Sequence, residues 1–380
     1  MKAMVLQDVE KLVLEDIPNP SISPHEVKIR VKAVGVCGTD LHLYRGHGNY
    51  NLDVHGRPIP LTKQPQILGH EFSGEVVEVG REVQDLKPGD RVLCDQGMSC
   101  MSQGRKPLCP YCATGNSHQC EFYGEHGITG LQGALAEYIA MPAVNCLILP
   151  PGMPQDLAAL VEPSSCVLHA NELAERTRAR YTFDGEDPIQ NVMITGAGPA
   201  GLLFLQYLRN VKHFEGLIVV TDVREKNLEL ARKFGGTPIN VTRQDPSEAV
   251  NELTQGKRIH YLIEACGNPV VLEQIPSLIR KQATVLLYAH GYKGLDIGVL
   301  ANVFFMEPIL VVPVGGSGGF DPDGHPTTYR RARELVNSQT LQVAPFITHR
   351  YRSLGDIRRA FEEDFQREDY IKGVLELESA

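Results

Sequence analysis

No apolar run in this chain of 380 residues reaches the roughly 18 residues of a membrane-crossing helix, and no run of Lys or Arg offers a track for a phosphate backbone. The formal net charge of −9 also opposes polyanions, so nucleic acid and membrane are not expected partners. The first residues, MKAMVLQDVEKLVLEDI, break their apolar positions with charges every few residues and lack the continuous apolar stretch of a secretory signal. A cytoplasmic protein is the expectation. Internal repeats and low-complexity tracts are absent as well. The 42% apolar and 22% charged residues exclude disorder and collagen-like structure, and the length implies two or three domains.

Two patterns alternate along the chain. Up to about residue 160, EVKIRVKAVGV, GEVVEVG and DRVLC are short β-branched runs separated by Gly, Pro and Asp, which predict a β-rich region. LAALVEPSSCVLHANELAERT then changes to helical spacing. From about residue 190, NVMITG, LIVVTD, TPINV, YLIEA, TVLLYA and PILVVPV read as strands buried on both faces, separated by helical segments such as GLLFLQYLRNV and EKNLELARKFG. That alternation predicts an α/β domain with a doubly wound parallel sheet. After residue 315 the pattern turns mixed again, with helices expected at TTYRRARELVNS and SLGDIRRAFEEDFQ and a last strand at IKGVLEL. The expected organisation is discontinuous: residues 1–163 and 315–380 build a β-rich domain, and residues 164–314 form an inserted nucleotide-binding domain.

NVMITGAGPAGLLFLQYL places a strand, a Gly-rich turn and a helix in succession. Gly196 permits the tight turn, Gly198 lets backbone approach a pyrophosphate, and Gly201 allows close packing of helix on strand. Pro199 and Ala200 open the helix whose free N–H groups would face the phosphates. Asp222 closes the next strand and can accept hydrogen bonds from both ribose hydroxyls of NAD, while repelling a 2′-phosphate. Arg224, just beyond, could instead pair with the phosphate of NADP; the carboxylate favours NAD.

Nine cysteines are present, and Cys100, Cys109, Cys112 and Cys120 fall in one stretch. In a reducing compartment such clustering favours a metal over disulfides, and four thiolates can enclose zinc as a closed structural site. Cys94 competes with Cys100 as the fourth ligand. A second set, Cys37 in CGTDLH and His70 in GHE, offers two ligands of a catalytic zinc, which needs about three and one open position. The third is a carboxylate, Glu71 or Glu162. Cys146, Cys166 and Cys266 read as small buried hydrophobes, and His47, His55 and His118 as surface groups in polar loops.

With GVCGTDLH, LGHEFSGEVVEVG, KPGDRV, the cysteine cluster, GALAEY, VEPSSCVLHA and ITGAGPAG in this order, the chain resembles the zinc-dependent medium-chain dehydrogenases, closest to the sorbitol (polyol) and L-threonine dehydrogenase branch. The resemblance implies a GroES-like catalytic domain carrying an inserted Rossmann domain. It implies that Cys37 and His70 bind catalytic zinc, with Glu71 and Glu162 binding it directly or through its water. Thr39 matches the hydroxyl that touches the substrate oxygen, His42 the base that passes its proton to solvent, and Asp40 the carboxylate that orients His70. The implied activity is hydride transfer from a secondary alcohol, a polyol or sugar-derived alcohol, to NAD. L-threonine or a simple alcohol is the alternative substrate, and a catalytically silent nucleotide-binding relative the alternative class. A homodimer or homotetramer is implied. MSQGRKPL lengthens the gap after Cys100, and the stretches YRGHGNYNLDVHGRPIPLTKQP and RTRARYTFDGEDPIQ are longer than is usual in the family.

Overall fold

The computed structural model describes residues 1–290 and 303–377. The chain divides into two compact units: Met1–Cys166 with Gly315–Gln339 and Val343–Ala380, and Val167–Val314 with Thr340–Gln342.

The first unit begins with β1 (Lys2–Asp8), β2 (Lys11–Asp16) and β3 (Glu26–Gly35), followed by helix α1 (Gly38–Tyr44). Next come β4 (Gln66–Ile67), β5 (Glu71–Val79), β6 (Arg91–Cys94) and β7 (Gly97–Met98). A one-turn helix α2 (Pro110–Ala113) lies in the cysteine-rich loop, which ends at β8 (Gly124–Glu125). Strands β9 (Tyr138–Pro142) and β10 (Cys146–Ile148) precede helix α3 (Gln155–Ala159) and helix α4 (Val161–Glu175), which from Val167 on belongs to the second unit. In β3, Val27, Ile29, Val31 and Ala33 are buried while the residues between them are partly exposed, the period-2 alternation of a half-buried strand. The main sheet runs β10-β6-β5-β3 and continues into two strands from the far end of the chain, β18 (Lys372–Glu376) and β17 (Ile347–Tyr351), with β9 also paired to β3. Glu71 opens β5 directly opposite Gly35, and Val374 of β18 faces Gly35 from the other side.

The second unit holds β11 (Asn191–Thr195), α5 (Pro199–Gln206), β12 (Leu217–Asp222), α6 (Glu225–Lys233), β13 (Thr237–Asn240), α7 (Pro246–Leu253), β14 (Ile259–Glu264), α8 (Pro269–Leu278), β15 (Ile279–Leu287) and β16 (Ile309–Val311). All six strands are parallel, in the order β13-β12-β11-β14-β15-β16. Counted from β11 this is 3-2-1-4-5-6, the doubly wound Rossmann order, whose strand order reverses between β11 and β14. Every residue of β11 and β14 is buried, as strands covered by helices on both faces require.

One expected element changes character. TTYRRARELVNS forms a helix over Thr327–Asn337, but SLGDIRRAFEEDFQ is helical only over Arg358–Glu362, with a 3₁₀ turn at Asp364–Gln366. Gly355 weakens the first turn of that segment, while Leu354, Ile357, Ala360 and Phe361 are buried through tertiary packing rather than one long helical face.

Candidate metal centres and dinucleotide turn

Helix α1 presents the first cluster. Cys37 is its N-cap, and the Asp40 carboxylate reaches back to accept the Cys37 amide N–H at 2.9 Å, so that the turn carrying the thiol is fixed. The other Asp40 oxygen accepts the Gly69 N–H at 3.1 Å and lies 3.4 Å from His70 Nδ1. One buried carboxylate thereby fixes the thiol turn and sets its charge beside the imidazole, although His70 Nδ1 makes no hydrogen bond among the described residues; with Nδ1 turned to the carboxylate, Nε2 is the nitrogen that could meet a metal. Burial alone would lower the His70 pKa, but Asp40 and Cys37 outweigh it and hold the ring well above its usual value. Ligand atoms of Cys37, His70 and Glu71 lie within 4.8 Å of one another. Glu71 Oε2 is buried with no hydrogen-bond partner among the described residues. A thiol, an imidazole and an orphaned carboxylate oxygen converging at that spacing fit a divalent, borderline-soft cation such as zinc.

Glu162, in the first turn of α4, is not part of that 4.8 Å set. Its Oε1 accepts from Gln96 Nε2 at 3.0 Å and from the Cys166 thiol at 3.2 Å. Burial raises its carboxyl to about 7, with His70 pulling it down and Glu71 pushing it up. Thr39 Oγ1 lies 3.7 Å from Cys37 Sγ, and His42 follows three positions later on the same face of α1. Both are half-buried.

In the second cluster Cys100, Cys109, Cys112 and Cys120 converge, their sulfurs within 4.8 Å of one another. Cys100 and Cys120 are 3.6 Å apart and Cys109 and Cys120 3.9 Å, close to the roughly 3.8 Å edge of a tetrahedron with zinc–sulfur bonds of about 2.3 Å. Backbone N–H groups of Cys109, Cys112 and Phe122 point at the sulfurs of Cys100, Cys109 and Cys120, as thiolates would require. The Cys112 N–H in particular lowers the Cys109 thiol to about 6. Cys94 instead lies beside Cys146, 3.6 Å between sulfurs, where β6 pairs with β10.

In the second unit the Gly-rich turn joins β11 to α5. Gly196 has φ +92°, and a Cβ on Gly201 would stand 1.9 Å from the Gly196 carbonyl oxygen, so only glycine fits there. Gly198 is the N-cap of α5, and a Cβ there would meet nothing within 4 Å among the described residues, leaving the N–H groups of Ala200 and Gly201 in the first turn approachable by a phosphate. Asp222 Oδ2 accepts the Ala197 N–H at 2.7 Å and Oδ1 accepts the Arg224 N–H at 2.8 Å. Each oxygen retains a lone pair for a ribose hydroxyl. The long segment before the turn does something else: through its Tyr181 and Phe183 it walls, with Tyr261 of β14, a cavity of about 340 Å³ that includes none of the expected site residues.

Two sequence expectations fail. His118 is buried, not a surface group: its Nε2 lies 3.1 Å from Asp95 Oδ1, because the cysteine loop folds it inward against Gly97 and Gly315. Cys266 is exposed, since it sits in the turn after β14, with its thiol 2.9 Å from Glu264 Oε1. Sequence reasoning also missed Gln96, Glu125, Tyr329 and Lys372. The Gln96 amide donates to both Glu125, at 2.9 Å, and Glu162, and accepts from the Tyr329 hydroxyl. Lys372 Nζ donates to Glu71 Oε1 at 2.6 Å. A Lys among apolar residues in IKGVLEL was the one available signal; the others have none.

The family model of the alcohol dehydrogenase GroES-like domain matches residues 23–151, and that of the glucose dehydrogenase C-terminus matches residues 155–377. An L-threonine 3-dehydrogenase of Bacillus licheniformis is 31% identical over 95% of this chain and 95% of its own length. Among solved structures, an Escherichia coli oxidoreductase of unknown specificity, described as involved in membrane biogenesis, superposes with TM-score 0.80 at 27% identity, covering 100% of this chain and 99% of that one. A putative zinc-binding dehydrogenase from Sinorhizobium meliloti, bound to NADP, gives TM-score 0.77 at 25% identity over 99% and 98% of the two chains.

Proposed function

Because this chain belongs to the zinc-dependent medium-chain alcohol dehydrogenase family, and is thus an oxidoreductase of GroES-like and Rossmann architecture, we propose that it oxidises a secondary alcohol of a polyol or sugar-derived substrate with NAD. The observation that carries the reading is the convergence of Cys37, His70 and Glu71, with Asp40 bonded to the Cys37 turn and its charge beside His70. Zinc held there would supply Lewis acidity, the chemistry that favours an alcohol's loss of its proton and then of hydride near neutral pH. Cys37, His70 and Glu71 are its ligands in this reading, and Glu162, engaged by Gln96 and Cys166, stands beside them to accept a hydrogen bond from water or a substrate hydroxyl. Thr39 takes the alcohol proton, and His42, on the same helix face, passes it to solvent. The turn at Gly196, Gly198 and Gly201 would hold the pyrophosphate of a nicotinamide cofactor, and Asp222 its ribose; such a cofactor would supply the hydride acceptor. Cys100, Cys109, Cys112 and Cys120 would hold a second, structural zinc and so pin their loop.

The match to the glucose dehydrogenase C-terminus supports a sugar-type substrate. L-threonine is the second reading, favoured by relatives that carry that activity in their names. NADP competes with NAD through Arg224, and the NADP-bound neighbour supports that alternative. Among the described residues no helix is long and apolar enough to cross a membrane, in keeping with a proposed cytoplasmic site of action. Exposed Phe304, Phe305 and Val312 beside and along the sheet-edge strand β16 support a homodimer or homotetramer. An absorbance screen for reduced cofactor, over polyols, sugars, L-threonine and simple alcohols with NAD and with NADP, tests the reading when metal is measured on the same sample. Turnover of a sugar or polyol with NAD is expected. Turnover of L-threonine alone would move the assignment to the second reading, and no turnover at full metal content would replace both with a silent relative.

A further inference from the structure

Lys372 is the first residue of β18, only 4% exposed, with its Nζ 2.6 Å from Glu71 Oε1. Strand order explains the meeting of two charges that lie 301 positions apart in sequence. β5 and β18 flank β3, and both place their opening residues near its Gly35 end. A buried ion pair is weak evidence for stability, because desolving two charges offsets much of their attraction. Its position against a candidate ligand points to chemistry instead.

The two oxygens of Glu71 are treated differently. Oε1 is committed to Lys372, whereas Oε2 is buried and has no hydrogen-bond partner among the described residues. Beside Oε2 the backbone has been stripped to glycine: a Cβ on Gly35 would lie 2.2 Å from it. The carboxylate is therefore anchored at one oxygen and given room at the other. A carboxylate can bind a metal through one oxygen or through both, and a catalytic zinc with three protein ligands must keep a further position open. If Glu71 used both oxygens, it would occupy that position itself.

We propose that Lys372 is a positioning residue that confines Glu71 to a single metal-binding oxygen and so keeps the substrate's coordination position open. This rests on the reading of Cys37, His70 and Glu71 as a metal centre. Lys372 suits the task because its ammonium is a compact charge with three donors and no affinity of its own for the cation. Groups that bond to metal-binding carboxylates are known in general to orient them and tune the ion they hold.

The test uses the full chain loaded with Co²⁺, whose visible bands are strong with four ligands and weak with five or six, in the wild type, Lys372→Met and Lys372→Arg. The wild type and Lys372→Arg are expected to show strong bands and to bind azide at the metal. In Lys372→Met the bands weaken and azide affinity falls more than about tenfold, because Glu71 takes the open position. Unchanged bands and azide affinity in Lys372→Met overturn the proposal; a merely structural lysine would move neither. Should that variant not fold, a crystal structure of the metal-loaded wild type decides. One Glu71 oxygen on the metal and the other on Lys372 is expected, and a Glu71 bound through both oxygens overturns it. If the wild type takes up no metal at Cys37, His70 and Glu71 while the cysteine cluster fills, the metal reading itself falls and takes this inference with it.

Discussion

Replacing Glu162 with Gln tests how strongly burial acts on the carboxylate beside the metal ligands. In the metal-free protein its carboxyl is raised from 4.5 to about 7, chiefly by burial. An unfolded chain releases that proton near 4.5, so between 4.5 and about 7 the folded protein holds a proton that the unfolded one has lost. Stability from this group is therefore full below 4.5 and declines as the pH rises through that window. Above about 7 the fold carries a buried carboxylate, at a cost of roughly 3 kcal/mol from a shift of about 2.5 units at about 1.4 kcal/mol each. Gln keeps an oxygen to accept from Gln96 and removes the titration. Metal-stripped Glu162→Gln should thus exceed metal-stripped wild type in stability by about 3 kcal/mol at pH 8 and by less than about 1 kcal/mol at pH 5. Denaturant titration at the two pH values measures the difference. Infrared spectroscopy reads the group directly: a protonated-carboxyl band that fades near pH 7 in the wild type, is missing in the variant, and vanishes at pH 6 when zinc is added, since a neighbouring cation favours the ionised form. An equal stability difference at pH 5 and pH 8, or a band already gone at pH 5, would refute the reasoning.

Asp40→Asn should weaken metal binding at the Cys37 cluster by about 10- to 100-fold, read by competition with a chelator, because the imidazole loses its anionic partner. Gly201→Ala should abolish dinucleotide binding in a fluorescence titration while metal content stays unchanged, since its Cβ would stand 1.9 Å from the Gly196 carbonyl oxygen. Cys109→Ser should remove one metal per chain and lower the thermal midpoint, as the loop from Cys100 to Cys120 loses its pin. Asp222→Ser should raise kcat/KM with NADP relative to NAD, by removing the charge that repels a 2′-phosphate.

The six parallel strands were legible as short runs between turns, a local property of the sequence, but the edge strands β13 and β16 are partly exposed where burial on both faces was expected. The Gly-rich turn was legible for the same reason: Gly196, Gly198 and Gly201 act within one strand–turn–helix unit. The cysteine cluster could be read from spacing, although only packing separates Cys100 from Cys94, which the β6–β10 pairing draws toward Cys146. What escaped was long-range. Lys372 meets Glu71 because β18 inserts beside β3, and Gln96 bridges Glu125 and Glu162 because β7 pairs with β8 near the start of α4. His118 is inside for a reason no local pattern carries, the glycines at 97 and 315 that make room for its ring.

Anomalous diffraction from crystals of the zinc-loaded protein, collected across the zinc edge, bears most directly on the account. It predicts two peaks per chain, one bounded by Cys37 Sγ, His70 Nε2 and a Glu71 oxygen and one inside the four cysteine sulfurs. A protein that oxidises its alcohol at full rate with no peak at the first of these positions would contradict it.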